Sequence, residues 1–163
     1  MKSNPTFVVI LTNVGFFILY DCRRSKMNKK IQITNHDYKK LLDYLKTAKI
    51  PGGIEFDYIQ KLKDEIEKAE IVEAEKIDSD VITMNSIVVV KDIETGEIEK
   101  YELVFPELAN IDEGKISILA PVGCALLGYR VMDEIELNVP SGIRRIRIEA
   151  VLYQPESKGI YTE

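Results

Sequence analysis

The apolar residues of this chain change period once, and that change constrains the architecture more than any other feature. Before Glu75 they recur at spacings of three and four, the repeat of a helix with one buried stripe. After it they fall in short β-branched blocks that alternate, as strands with one buried face do. The switch places a boundary at residues 76–79, between a helical unit at 27–76 and a β unit at 77–156 that is followed by a tail at 157–163. With 163 residues, 45% hydrophobic and 30% charged, the chain suits one or two small domains with a real core and is too apolar for a disordered one.

Within the helical unit, Ile31, Gln32 and Ile33 form a short apolar lead-in, and Thr34, Asn35, His36 and Asp37 supply cap-type side chains. Tyr38, Leu41, Leu42 and Leu45 then predict a helix over residues 35–48. Lys49, Ile50, Pro51, Gly52 and Gly53 cannot continue it, because proline lacks the amide donor and paired glycines resist helix on entropy. Beyond that turn Ile59, Leu62, Ile66 and Ala69 mark the seam of a second helix, expected to run on toward Glu75 at roughly 30 Å in length. Glu55 and Asp57 stand at its start, where the helix dipole favours acids. Two such helices read as an antiparallel hairpin, marginal alone and therefore expected to lean on the β unit. The seam of the second helix could also pair between chains, and the oligomeric state stays open.

The β unit opens with residues 87–90 as a strand, turns through Asp92 to Glu97, and returns over residues 98–105 until Pro106 stops it. A second turn at Asp112, Glu113, Gly114 and Lys115 leads into a short strand at residues 116–118. One helical turn at residues 125–128 follows, ended by Gly128. Val131, Ile135, Leu137 and Val139 predict another strand. After a turn at Pro140, Ser141 and Gly142, residues Ile146, Ile148, Ala150 and Leu152 form the inner face of the last one. Arg145 and Arg147 lie on its opposite face, either a basic contact patch or plain surface among glutamates. The whole is an α+β arrangement, a helical hairpin ahead of a mostly antiparallel β unit with one short helix.

Charge and chemistry narrow the function. Residues 77–163 carry eight basic and sixteen acidic side chains, a field that repels phosphates and so disfavours direct nucleic-acid binding while suiting a basic face on another protein. Cys22 and Cys124 form no CxxC or Cys/His cluster, which fits a reducing cytoplasm, and Cys124 reads as a small packed side chain rather than a nucleophile. His36 is the single histidine, and no HExxH, P-loop or GxGxxG occurs. Neither a cofactor nor a metal site is expected.

The first 26 residues look foreign to the rest. Residues 7–20 are largely apolar but short of the roughly 20 residues a membrane span needs, and Asp21, Cys22, Arg23 and Arg24 follow where a signal peptide would place small residues. The segment reads as an over-long start, with Met27 the true one, or else as a membrane tether or an extra strand. A membrane is expected as a partner only if residues 7–20 are a real anchor.

The run Asp112-Glu113-Gly114-Lys115-Ile116-Ser117-Ile118-Leu119-Ala120-Pro121-Val122-Gly123-Cys124-Ala125-Leu126-Leu127-Gly128 is followed by Val131, Asp133, Pro140-Ser141-Gly142 and Leu152-Tyr153. Together they resemble the C-terminal domain of the Gre family of bacterial transcription elongation factors. Residues Asp80 to Ser86 and the closing Tyr153-Gln154-Pro155-Glu156 bring the chain closer to that family's Rnk branch, the regulators of nucleoside diphosphate kinase. The likeness runs from about Met27 to Glu156.

This resemblance implies a coiled coil projecting from an FKBP-like β domain that docks on the rim of the RNA polymerase secondary channel. By position the docking loop corresponds to Leu119, Ala120, Pro121 and Val122, which without the resemblance read as a rigid turn that starts a helix. In the long Gre factors, acids at the coiled-coil tip help hold a second Mg²⁺ at the polymerase active site. Here the tip departs from that pattern, and Glu55 and Asp57 on so short an arm read as helix-start acids. The expectation is a non-enzymatic polymerase-binding regulator that competes with long Gre factors. The alternatives are a polymerase-dependent transcript-cleavage factor, a regulator of nucleoside diphosphate kinase, and a prolyl isomerase on the same scaffold. The last is the weakest, since the chain has no Trp to floor that pocket.

Overall fold

The chain leaves the first described strand for a helix at Thr34, whose Oγ1 accepts the Asp37 N–H at 3.1 Å and so caps the first turn. The computed structural model describes residues 30–47, 54–139 and 142–161, with the side chains of residues 47, 54–58, 138 and 139 outside that description. The strand is β1 (Gln32–Thr34) and the helix α1 (Asn35–Thr47). Leu41 and Leu45 are buried along one face of α1, as their spacing requires. The predicted turn at residues 49–53 lies outside the described residues.

The second helix, α2 (Ile54–Glu67), buries Ile59, Leu62 and Ile66 but stops well short of Glu75. Its length is therefore about 20 Å rather than 30. The expected continuation fails because the Glu70 N–H donates to Ile31 O at 2.9 Å and β2 (Glu70–Val72) pairs parallel with β1. A lone three-residue β1 would leave its backbone groups unpaired, and that demand outweighs helical spacing. Ala69, read as the fourth seam residue, lies beyond the helix end and is half-buried.

The β unit is a five-stranded sheet in the order β5-β4-β3-β7-β6. Its members are β3 (Ile87–Asp92), β4 (Ile98–Val104), β5 (Lys115–Ser117), β6 (Glu134–Val139) and β7 (Gly142–Tyr153). All pairs are antiparallel except β4 with β5. The short helix α3 (Pro121–Leu126) joins β5 to β6 and meets both, so it starts four residues earlier than the helical turn expected at residues 125–128. Val131 is likewise not part of β6. The predicted turn at Pro140 and Ser141 lies outside the described residues.

Two register shifts between β3 and β7 correct the inner face of the last strand. Val90 faces Ile148, but Val88 faces Val151, so one extra β7 residue has entered and reversed the parity. Ile146 and Ile148 are buried as expected, Val151 packs on the core in place of Ala150, and Leu152 is 57% exposed. Arg145 and Arg147 are ordinary surface among glutamates, paired with Glu94 and Glu149. Arg144 instead reaches Asp92 Oδ2 at 2.7 Å and also the Glu99 carboxylate, closing the end of the sheet.

One cluster of buried apolar side chains runs from Ile31, Leu41 and Ile66 through Leu126 and Leu127 to Val88 and Ile148. The hairpin thus leans on the β unit, α2 meeting α3 directly. Among the described residues no helix is long and apolar enough to cross a membrane.

Candidate functional site

Leu119, Ala120, Pro121 and Val122 occupy the entry to α3, where backbone and side-chain bonds remove most of the loop's freedom. Ser117 Oγ accepts the Leu119 N–H at 3.0 Å, and Ser117 O accepts the Ala120 N–H at 2.9 Å. Ala120 O then receives the Cys124 N–H at 2.8 Å, and Cys124 Sγ donates to Ile118 O at 3.0 Å. Pro121 stands at the first helical position, where its missing N–H costs nothing and its ring pre-sets φ. Gly123 permits the tight fold-back, because a Cβ there would stand 2.0 Å from Ser117 O. Leu119, Ala120 and Val122 rest partly on the core and all four residues stay half-buried, forming a short apolar ridge. Such a ridge is ordered before any partner arrives, so little entropy remains to be lost on contact.

The other end of α3 carries the root of the hairpin. Gly128 has φ +75, and a Cβ on it would lie 2.5 Å from the Ile31 Cβ, so only glycine lets β1 approach this closely.

A pocket opens between α1 and the C-terminal segment, walled by Asp37, Lys40, Phe105, Glu156 and Tyr161. Asp37 Oδ2 accepts the Met84 N–H at 3.1 Å, and Glu156 Oε2 accepts from Thr83 Oγ1 at 2.8 Å. Burial pushes both carboxyls above their usual range, and the Asp37 charge adds to the rise at Glu156. Lys40 Nζ lies 5.2 Å from the centre of the Phe105 ring, and Tyr44 packs on the same ring at 5.8 Å. These contacts bind the helical unit to the β unit. Among the described residues no three His, Cys, Asp or Glu side chains stand close enough to hold a metal ion.

Comparison with known proteins identifies this fold. The family model described as transcription elongation factor GreA/GreB, C-terminal, matches residues 77–153. The chain is 37% identical over 119 residues to GreA of Clostridioides difficile, covering 73% of this chain and 74% of that protein. The chain belongs to the GreA/GreB family of transcription elongation factors. It is also 37% identical over 101 residues to the regulator of nucleoside diphosphate kinase of Escherichia coli, 61% of this chain and 74% of that one. A solved prokaryotic GreA/GreB transcription elongation factor from Nitrosomonas europaea superposes with TM-score 0.65 at 39% identity, over 77% of this chain and all of that one.

In this Gre-family chain the two sets of candidate residues sit on different elements. Glu55 and Asp57 belong to the first turn of α2, with side chains outside the described ones, at the end of the helix away from β2. The ridge at residues 119–122 is held by β5 and the start of α3. Sequence reasoning missed the bond of Asp37 to Met84 in the β unit and that of Glu156 to Thr83, since each pair comes together only through tertiary contact across a long stretch of chain. It missed Arg130, whose guanidinium bonds Gln32, Asp78 and Asp80, for the same reason.

Proposed function

We propose that this chain is an RNA polymerase-binding regulator of transcription elongation. It docks at the secondary channel through Leu119, Ala120, Pro121 and Val122, competes there with longer Gre factors, and carries out no catalysis of its own. The observation that supports this reading most is the pre-ordered apolar ridge at the entry to α3, in a chain of this family. The acidic balance of residues 77–163 favours a basic protein face over nucleic acid. Helices of 13 and 14 residues make an arm of about 20 Å, which favours a finger that stops short of the catalytic centre. A cytoplasmic location follows from the partner.

Co-purification with core RNA polymerase, with a long Gre factor as competitor, tests the reading. Pro121→Glu is expected to weaken binding by roughly 1–3 kcal/mol, the usual scale for a contact residue. Unchanged affinity with the fold intact would remove the docking surface.

The start of α2 favours a second reading, in which Glu55 and Asp57 at the hairpin tip support transcript cleavage by the polymerase. Backtracked complexes decide it. Shortened transcripts that disappear with Glu55→Ala plus Asp57→Ala would replace the non-catalytic reading. The name of the Escherichia coli relative supports a third, control of nucleoside diphosphate kinase, for which capture of the kinase by this chain without polymerase is the direct test.

A further inference from the structure

Arg130 stands at the corner after α3, and its side chain gathers three acceptors from two separate segments. Nη1 donates to Asp80 Oδ1 at 2.6 Å, while Nη2 donates to Gln32 Oε1 at 2.5 Å and to Asp78 Oδ2 at 2.8 Å. Gln32 lies in β1 and passes the link onward, its Nε2 donating to Glu70 Oε2 in β2 at 3.0 Å. Asp78 and Asp80 belong to the linker between hairpin and β unit, and the Arg130 N–H is held by Asp133 Oδ2 at 2.9 Å. One planar guanidinium therefore ties both strands of the hairpin root and the linker to the start of β6.

The backbone around it is laced in the same sense. Ile82 N–H donates to Tyr129 O at 2.9 Å, Gly128 N–H to Ile82 O at 2.8 Å, and Val131 N–H to Asp80 O at 3.3 Å. Those bonds hold the linker to the corner; burial of Ile31 and Ile33 in the shared core, the Gly128 contact with Ile31 and the Asp37 bond to Met84 hold the helical unit, and Arg130 adds the directional polar link from β1 to the linker. A single exposed ion pair does little, since solvent screens it and two side chains must be ordered to make it. Here the Arg130 side chain is only 19% exposed although Asp78 and Asp80 are more open, and its fork meets three acceptors at once, of which Gln32 is itself held by Glu70. Lysine could not reproduce this, because a point charge has no fork to hold Gln32 and the two aspartates at fixed angles.

We infer that Arg130 is a positioning residue that sets the direction of the helical hairpin relative to the ridge at residues 119–122, with α3 as the rigid spacer between them. The ridge is fixed at the first position of α3 and the root at its far end, so a partner that seats Pro121 also aims the hairpin. The consequence at polymerase rests on the function proposed above; the orientation itself does not.

Spin labels on Lys63→Cys in α2 and Lys100→Cys in β4 read the angle as a distance distribution, in a background with Cys22→Ser and Cys124→Ala. One narrow distribution is expected with Arg130 present, and at least a doubling of its width with Arg130→Ala. Arg144→Ala, which removes a comparable ion-paired arginine from the far end of the sheet, is the stability control and is expected to leave the width unchanged. Asp78→Asn with Asp80→Asn asks the same question if Arg130→Ala does not fold. A narrow distribution in both variants, equal broadening in Arg144→Ala, or loss of fold in both variants overturns the inference. Polymerase affinity of Arg130→Ala is expected within about twofold of the parent. Absence of binding by the parent itself would sink the proposed function and leave the orientation result standing.

Discussion

Asp92 and Asp37 show how one residue type is driven in opposite directions by its surroundings. The Arg144 guanidinium, with the Thr95 and Glu94 amides, holds the Asp92 carboxyl at about 2, below its ordinary 3.8. Its folded value being the lower one, the charged form stabilises the fold above about pH 4, and that contribution is lost as pH falls toward 2. Asp92→Asn is therefore expected to lower the urea midpoint at neutral pH and to flatten its decline between about pH 4 and pH 2. An acid limb as steep as that of the parent would refute the assignment. Asp37 and Glu156 run the other way. Burial raises both, so their ionisation works against the fold, and their contribution to stability grows as pH falls toward the ordinary carboxylate range.

At the scale of elements, α3 is the piece on which the molecule turns. It has only six residues and would not persist alone, yet β5, β6 and α2 all pack on it. Its entry depends on a backbone approach that no side chain can share, so Gly123→Ala must push the Ser117 carbonyl aside. The expected cost is about 1–3 kcal/mol of stability, the range for overpacking, with loss of hydrogen-exchange protection at the Cys124 amide as the local signature. Full protection there at unchanged stability would mean that the loop can yield without cost. The lesson on legibility is clearest at this scale. The spacing of Leu41 and Leu45 in α1, and of Ile59, Leu62 and Ile66 in α2, could be read directly because a buried stripe repeats with the helix. The end of α2 could not, because a partner strand nearly 40 residues away decides it. Leu152 was misread for a related reason, since alternation presumes an unbroken ladder and β7 carries bulges.

At the scale of the whole molecule, an acidic β unit presents a rigid apolar ridge while a short hairpin is locked at a set angle beside it. Such a charge balance should speed encounter with a basic surface more than it tightens the final complex. The association rate with RNA polymerase is accordingly expected to fall severalfold between about 0.05 M and about 0.5 M salt, with little change in dissociation rate. Stopped-flow binding across that range checks it, and a rate indifferent to salt would discard electrostatic steering. The sequence alone was enough for the α+β order of elements, for the buried faces of α1 and α2 and for the family likeness, because each rests on local periodicity or on a contiguous motif. Tertiary structure alone decided where α2 gives way to β2, which face of β7 looks inward, and that Arg130 and Asp37 join the two units. Those outcomes depend on backbone groups and charges that find their partners only after the chain has closed on itself, and no local pattern records them.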